Sequence, residues 1–184
     1  MNLLGYGIVP AGTDVAPWQG LTVAALTLAV GPAESTPADV PRLLNYAAAI
    51  QRLHNAGPLL PLRYGCVQSA AAWTQWLTTQ QATYVTALAE LGGGCEWSVR
   101  WESTPTAEPA SGTAFLTVRR AHYAAQTTAT AWVQTLPVVR ARVEPTPRGW
   151  VAHLLVPRAA PVPTWPRPPA TRLHGPFPVY HFVP

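Results

Sequence analysis

The side chains with the widest chemical repertoire in this sequence fall between residues 54 and 96: His54, Arg63, Tyr64, Cys66, Cys95 and Glu96. A His with a Cys suggests nucleophilic catalysis, which requires a thiolate activated beside a base. Nothing near Cys66 in the sequence lowers its pKa, and strand alternation turns it toward the core. His54 with Glu96 is the other catalytic combination, and it has no supporting pattern. The remaining His residues lack metal-ligand spacing, and two Cys make neither a metal site nor a disulfide framework. No catalytic residue, metal or cofactor is therefore assigned. Arg63 and Glu96 form a different kind of pair. If their strands are neighbours, a bidentate ion pair becomes feasible, with His54 approaching the same place. Two readings stand: a polar cluster that recognises a partner, and an ion pair that fixes strand register.

The elements that carry these residues follow from hydrophobic period and punctuation. Leu3–Val9 reads as a strand closed by Pro10 and Gly12, and Leu21–Val30 as a second strand. Asp39 is a candidate N-cap with Pro41 in the first turn. From there Val40, Leu43, Leu44, Ala47, Ile50 and His54 form one apolar stripe, and Gly57-Pro58 stops the helix. Leu59–Val67 reads as a strand with Leu60, Leu62, Tyr64 and Cys66 on one face and Pro61, Arg63 and Gly65 on the other. Ser69 caps a second helix, whose stripe is Trp73, Trp76, Leu77, Tyr84, Leu88 and Leu91. Three glycines end it. Cys95–Trp101 alternates again, with Cys95, Trp97, Val99 and Trp101 facing the core and Glu96, Ser98, Arg100 and Glu102 facing away. The order β-β-α-β-α-β predicts an α+β fold, a modified ferredoxin-like layer with both helices on one side of a sheet, over residues 1–103.

Residues 103–111 are polar and Pro-containing, and the expected domain boundary lies there. The second domain, 112–184, reads as a smaller α+β part with a Pro-rich extended tail. Thr113–Val118 is expected as a short strand and Arg119–Leu136 as a helix. Val138–Val143 and Trp150–Val156 should form a hairpin around Pro145, Pro147 and Gly149. Residues 157–170 are too rich in Pro for a helix interior.

Composition bounds the function. The chain has 184 residues, 48% hydrophobic and 11% charged, which supports a packed core. All 12 basic residues are Arg, and the net charge is +4. They are scattered and form no basic stripe, so no nucleic-acid partner is expected. The start, MNLLGYGIVP, lacks a signal-peptide pattern. The longest apolar run is about half a membrane span. A cytoplasmic protein without a membrane contact is expected. Of the eight Trp, Trp73, Trp76, Trp97 and Trp101 fit core positions, while Trp18, Trp150 and Trp165 lie in or beside loops, where aromatics serve as interface anchors.

Several motifs occur in a telling order. Tyr6-Gly7-Ile8-Val9 opens the chain. His54, then Pro61-x-Arg63-Tyr64-Gly65, then a Leu-bearing helix and the Glu96 strand follow. Gly112-Thr113-Ala114-Phe115-Leu116 precedes Arg119 and Arg120, and GPFPVYHFV closes the chain. In this order the chain resembles the GvpL/GvpF family of gas vesicle proteins, as a short, divergent member. The departures are a short helix after Arg119 and a Pro-rich stretch where the family has a further helix. The resemblance implies an accessory or minor structural protein, not an enzyme. Its implied partners are the shell protein and other accessory proteins during gas vesicle assembly, and its implied location is cytoplasmic or on the gas vesicle. The partner-binding residues expected on this basis are Arg63, Tyr64, His54, Glu96 and Tyr6, with strand addition at Leu3–Val9 as one mode. The alternatives are a small-molecule enzyme, which would show a closed pocket with convergent polar groups, and a stand-alone protein-interaction module.

Overall fold

The computed structural model describes residues 1–33, 39–102, 111–146, 149–166, 168 and 171–183. The expected linker at 103–110, the polar loop at 34–38 and Pro147 lie outside the described residues. The chain forms two compact units: residues 1–95 with 177–184, and residues 96–176. The expected boundary was the Pro-containing stretch at 103–111. The division falls earlier because the strand at Gly94–Glu102 pairs within the second unit's sheet.

Unit 1 is built on a five-stranded sheet: β1 (Asn2–Pro10), β2 (Gln19–Val23), β3 (Leu26–Pro32), β4 (Leu60–Pro61) and β5 (Val67–Ser69). Its order is β2-β3-β1-β4, with β5 also paired to β1. The single strand expected at Leu21–Val30 is a hairpin of two strands. Ala24, at φ 48°, turns the chain. No Gly or Asn marks that turn in the sequence, so apolar continuity concealed it. The strand expected at Leu59–Val67 is interrupted by a turn in which Gly65 has φ 89°. A Cβ there would meet open space, so backbone conformation alone calls for glycine.

Helix α1 (Val40–Ala56) starts where Asp39 accepts a hydrogen bond from the Arg42 N–H at 2.9 Å. It buries Tyr46, Ala49, Ile50, Leu53 and His54. The expected stripe holds only in its second half, since Val40, Leu43 and Leu44 are exposed. The expected second helix is two: α2 (Ala70–Thr79), capped by Ser69, and α3 (Gln81–Leu91), which meet at Gln80.

The two faces of β1 carry different helices. Leu4, Tyr6 and Val9 pack with Tyr46, Ile50 and Leu53 of α1. At Gly5 a side chain would collide with the Trp73 ring of α2, and the Trp73 indole N–H donates to the Leu3 carbonyl at 3.0 Å. Helices therefore cover both faces, where cover on one side was expected. The reason is visible in β3, whose residues from Leu26 to Gly31 are buried in succession.

Unit 2 takes all but the end residues of β6 (Gly94–Glu102) and β9 (Thr171–Phe177), together with α4 (Gly112–Gln134), β7 (Arg140–Thr146) and β8 (Gly149–Pro157), with sheet order β7-β8-β6-β9. The hairpin of β7 and β8 is present, from Arg140 opposite Leu155 to Thr146 opposite Gly149. The strand expected at Thr113–Val118 is instead the first part of α4. Ser111 caps that helix by accepting from the Ala114 N–H at 3.2 Å, so it runs 23 residues rather than starting at Arg119. The tail supplies β9 as an edge strand.

Candidate functional site

A cleft of about 740 Å³ opens in unit 1 between α1 and the sheet. Its wall is a run of four aromatic rings. Tyr6 lies 5.3 Å from Trp18 and stacks on Tyr46 at 5.2 Å. Tyr46 meets Tyr64 edge-on at 5.1 Å. Such separations suit offset and edge-to-face ring contacts.

Each ring is held by a local device. The β1–β3 register shifts between Gly5 and Gly7, which leaves Tyr6 as the extra residue of a bulge. A bulge re-aims a side chain out of strict alternation. The Tyr6 carbonyl accepts from the Leu62 N–H at 2.8 Å, which fixes the bulge to the turn that carries Tyr64. Trp18 is admitted by Gly31. A Cβ at Gly31 would stand 3.1 Å from the Tyr6 ring and 3.4 Å from Trp18. Tyr46 projects from α1 under the sheet. Its hydroxyl lies 2.9 Å from the Leu62 carbonyl and 3.1 Å from that of Gly5, so its one proton is donated to backbone acceptors. Burial pushes the Tyr46 phenol upward, and Tyr180, Cys66 and Tyr6 add to the shift. Tyr46 thus stays neutral and braces the site instead of titrating in it.

The rim of the cleft is cationic. Arg42, Asn45, Ala49 and Arg52 recur at three- and four-residue spacing along α1 and all line it. Arg42 keeps its Nε 3.9 Å from the Asp39 carboxylate. The exposed Arg52 places its guanidinium 5.6 Å from the centre of the Trp18 ring, a cation–π arrangement. Among the described residues that line the cleft there is no carboxylate, imidazole or thiol.

The residues expected from the sequence separate into three groups. Tyr6 and Tyr64 both line the cleft, joined through Tyr46. Arg63 is exposed on the same turn as Tyr64 but is not part of the lining. His54 and Glu96 are buried, at 4% and 1% exposure, and present no surface to a partner. Glu96 was expected on a face turned from the core. However, Cys95–Val99 are buried in succession, so alternation does not separate core from solvent there. Arg63 belongs to unit 1 and Glu96 to unit 2, where Glu96 Oε1 lies 3.0 Å from His153 Nδ1. The Ser98 hydroxyl is 3.1 Å from the same nitrogen. A carboxylate only accepts, so His153 donates from Nδ1 to it. Strand addition at Leu3–Val9 is closed, because β1 is paired with β3 on one side and with β4 and β5 on the other.

Tyr46, Arg42 and Arg52 were missed by sequence reasoning, although their spacing on α1 was available as a signal. The apolar residues Val40, Leu43 and Leu44 drew the stripe to the wrong face. Trp150, expected beside a loop, is buried at the start of β8.

Comparison with known proteins gives one consistent family. The family described as gas vesicle synthesis protein GvpL/GvpF matches residues 3–136. Among solved structures, the chain is similar to the gas vesicle protein GvpF from Microcystis aeruginosa, at TM-score 0.74 and 14% identity, covering 100% of this chain and 99% of that one. It is also similar to GvpF from Anabaena sp. PCC7120, at TM-score 0.65 and 17% identity, covering 85% and 83%. At these identities the likeness is one of fold. No curated protein matches the chain. Among the described residues, no helix is long and apolar enough to cross a membrane.

Proposed function

This chain belongs to the GvpL/GvpF family of gas vesicle synthesis proteins, and we propose that it acts in gas vesicle assembly by binding another gas vesicle protein, the shell protein first, at the aromatic cleft of unit 1. The observation that carries the reading is the continuous wall of Tyr6, Trp18, Tyr46 and Tyr64 beneath an exposed Arg52. Aromatic residues beside Arg are the usual anchors of protein interfaces. Among the described residues the lining holds no carboxylate, imidazole or thiol, and the buried Tyr46 phenol is committed to backbone carbonyls. On this reading the protein works in the cytoplasm, at the forming vesicle, and its contribution is binding. Tyr6 and Tyr64 are contact residues, Arg63 extends the contact along the turn, and His54 and Glu96 support their own units from inside.

The test is capture of shell and accessory proteins by the tagged full chain. Shell-protein capture should fall about tenfold with Trp18→Ala, the scale of an interface anchor, and less with Arg63→Ala. Circular dichroism should show an unchanged fold. No capture of any gas vesicle protein would sink the proposal.

A further inference from the structure

Two arginines line a cleft that contains no acidic group of its own among the described residues. We infer that the cleft takes an extended segment of a partner protein in which a carboxylate stands beside a large apolar side chain. The apolar group would seat on the rings of Tyr6, Tyr46 and Tyr64, and the carboxylate on Arg52. This rests on the reading of the cleft as a docking site for protein and specifies what it reads.

Three observations support it. First, Arg52 is already ordered for an anion. Its guanidinium lies 5.6 Å from the Trp18 ring centre while remaining exposed. A planar fork held this way loses little freedom on forming a bidentate pair with a carboxylate. Second, length favours a peptide over a small acid. Arg42 and Arg52 are ten positions apart on α1, which spans about 15 Å at 1.5 Å per residue. Four to five residues of extended chain, at about 3.3 Å each, cover that distance. Third, charge favours a single carboxylate over a phosphate. The Asp39 carboxylate stands 3.9 Å from Arg42 and caps the same helix end. That end of the cleft is therefore partly neutralised and offers a dianion little attraction. The net attraction is concentrated at Arg52, next to the rings.

The experiment uses the full chain and two labelled, end-blocked six-residue peptides, read by fluorescence anisotropy. One carries glutamate beside phenylalanine; the other has glutamine in place of the glutamate. The acidic peptide should bind about tenfold more tightly, the scale of one charge-assisted hydrogen-bonded pair. Arg52→Gln should remove that preference, so that the variant binds the acidic and the neutral peptide alike, Arg52→Lys should keep part of it, and Trp18→Ala should weaken both peptides. Equal binding of the two peptides, binding of neither, a preference that survives Arg52→Gln, or displacement of the acidic peptide by an equal concentration of inorganic phosphate would each overturn the inference. Capture of the shell protein with no peptide preference would overturn it and leave the proposed function standing. A preference lost in Arg52→Gln, with no gas vesicle protein captured, would support the inference and sink the function.

Discussion

Tyr46 shows how one side chain joins the stability of unit 1 to its site. Its ring stands between Tyr6 and Tyr64, and its hydroxyl is committed to the carbonyls of Leu62 and Gly5. The folded phenol titrates above its ordinary value of 10.0 because burial disfavours the charged form. A raised folded pKa contributes stability that is complete below 10.0 and is lost as pH rises above it. Tyr46→Phe should therefore lower stability by about 1 kcal/mol at neutral pH, the scale of one hydrogen bond. It should also reduce the further loss above pH 10.0, as read from denaturant midpoints across pH. Tyr84 is shifted upward too, mainly by burial, so part of the alkaline loss remains in the variant. A loss above pH 10.0 as steep as in the unaltered chain would contradict this account. Tyr6 and Tyr64 could be picked out from the sequence because each sits in a short motif with its own turn or strand. Tyr46 could not, since it lies in a helix whose neighbours Leu43 and Leu44 are more apolar by type.

At the scale of elements, local apolar content does not decide burial. Leu43 and Leu44 are 45% and 64% exposed, while Tyr46 and Ile50 are buried. Which face of α1 is covered depends on where β1 and β3 lie, and that is set by partners far away in the chain. Leu44→Lys should then change stability by no more than about 0.5 kcal/mol. Ile50→Ala should cost about 2–5 kcal/mol, as for other large-to-small changes in a core. Chemical denaturation of the two variants side by side checks the assignment, and a larger loss at Leu44 would reverse it. The start of α4 carries a related lesson. Phe115, Leu116 and Val118 resemble a strand by type, yet Ser111 caps the backbone ahead of them and commits it to helix. The elements with strong punctuation, such as α1 behind Asp39 and the hairpin of β7 and β8, were readable from the sequence. The β2–β3 hairpin turns at two alanines and was not.

At the scale of the whole molecule, unit 1 is assembled from two pieces of chain, residues 1–95 and 177–184. The second piece is integral, since Val179 is 1% exposed and Tyr180 acts electrostatically on Tyr46. Deleting residues 177–184 should therefore destabilise unit 1, with faster amide exchange in β1 and α1 than in the full chain. Equal exchange in both would show that the tail is dispensable to it. Strand pairing within the closing motif GPFPVYHFV, and its return to the first unit, depend on contacts across most of the chain. The same layout bears on how the protein is made. Domains generally fold as units from the N-terminus as they leave the ribosome, at about 5–20 residues per second. Unit 1 is an exception to that order: its first 95 residues emerge early but wait several seconds, while all of unit 2 is translated, for the piece that completes them. A nascent chain cut short anywhere in unit 2 carries a first unit that lacks its last segment, and with it the buried Val179.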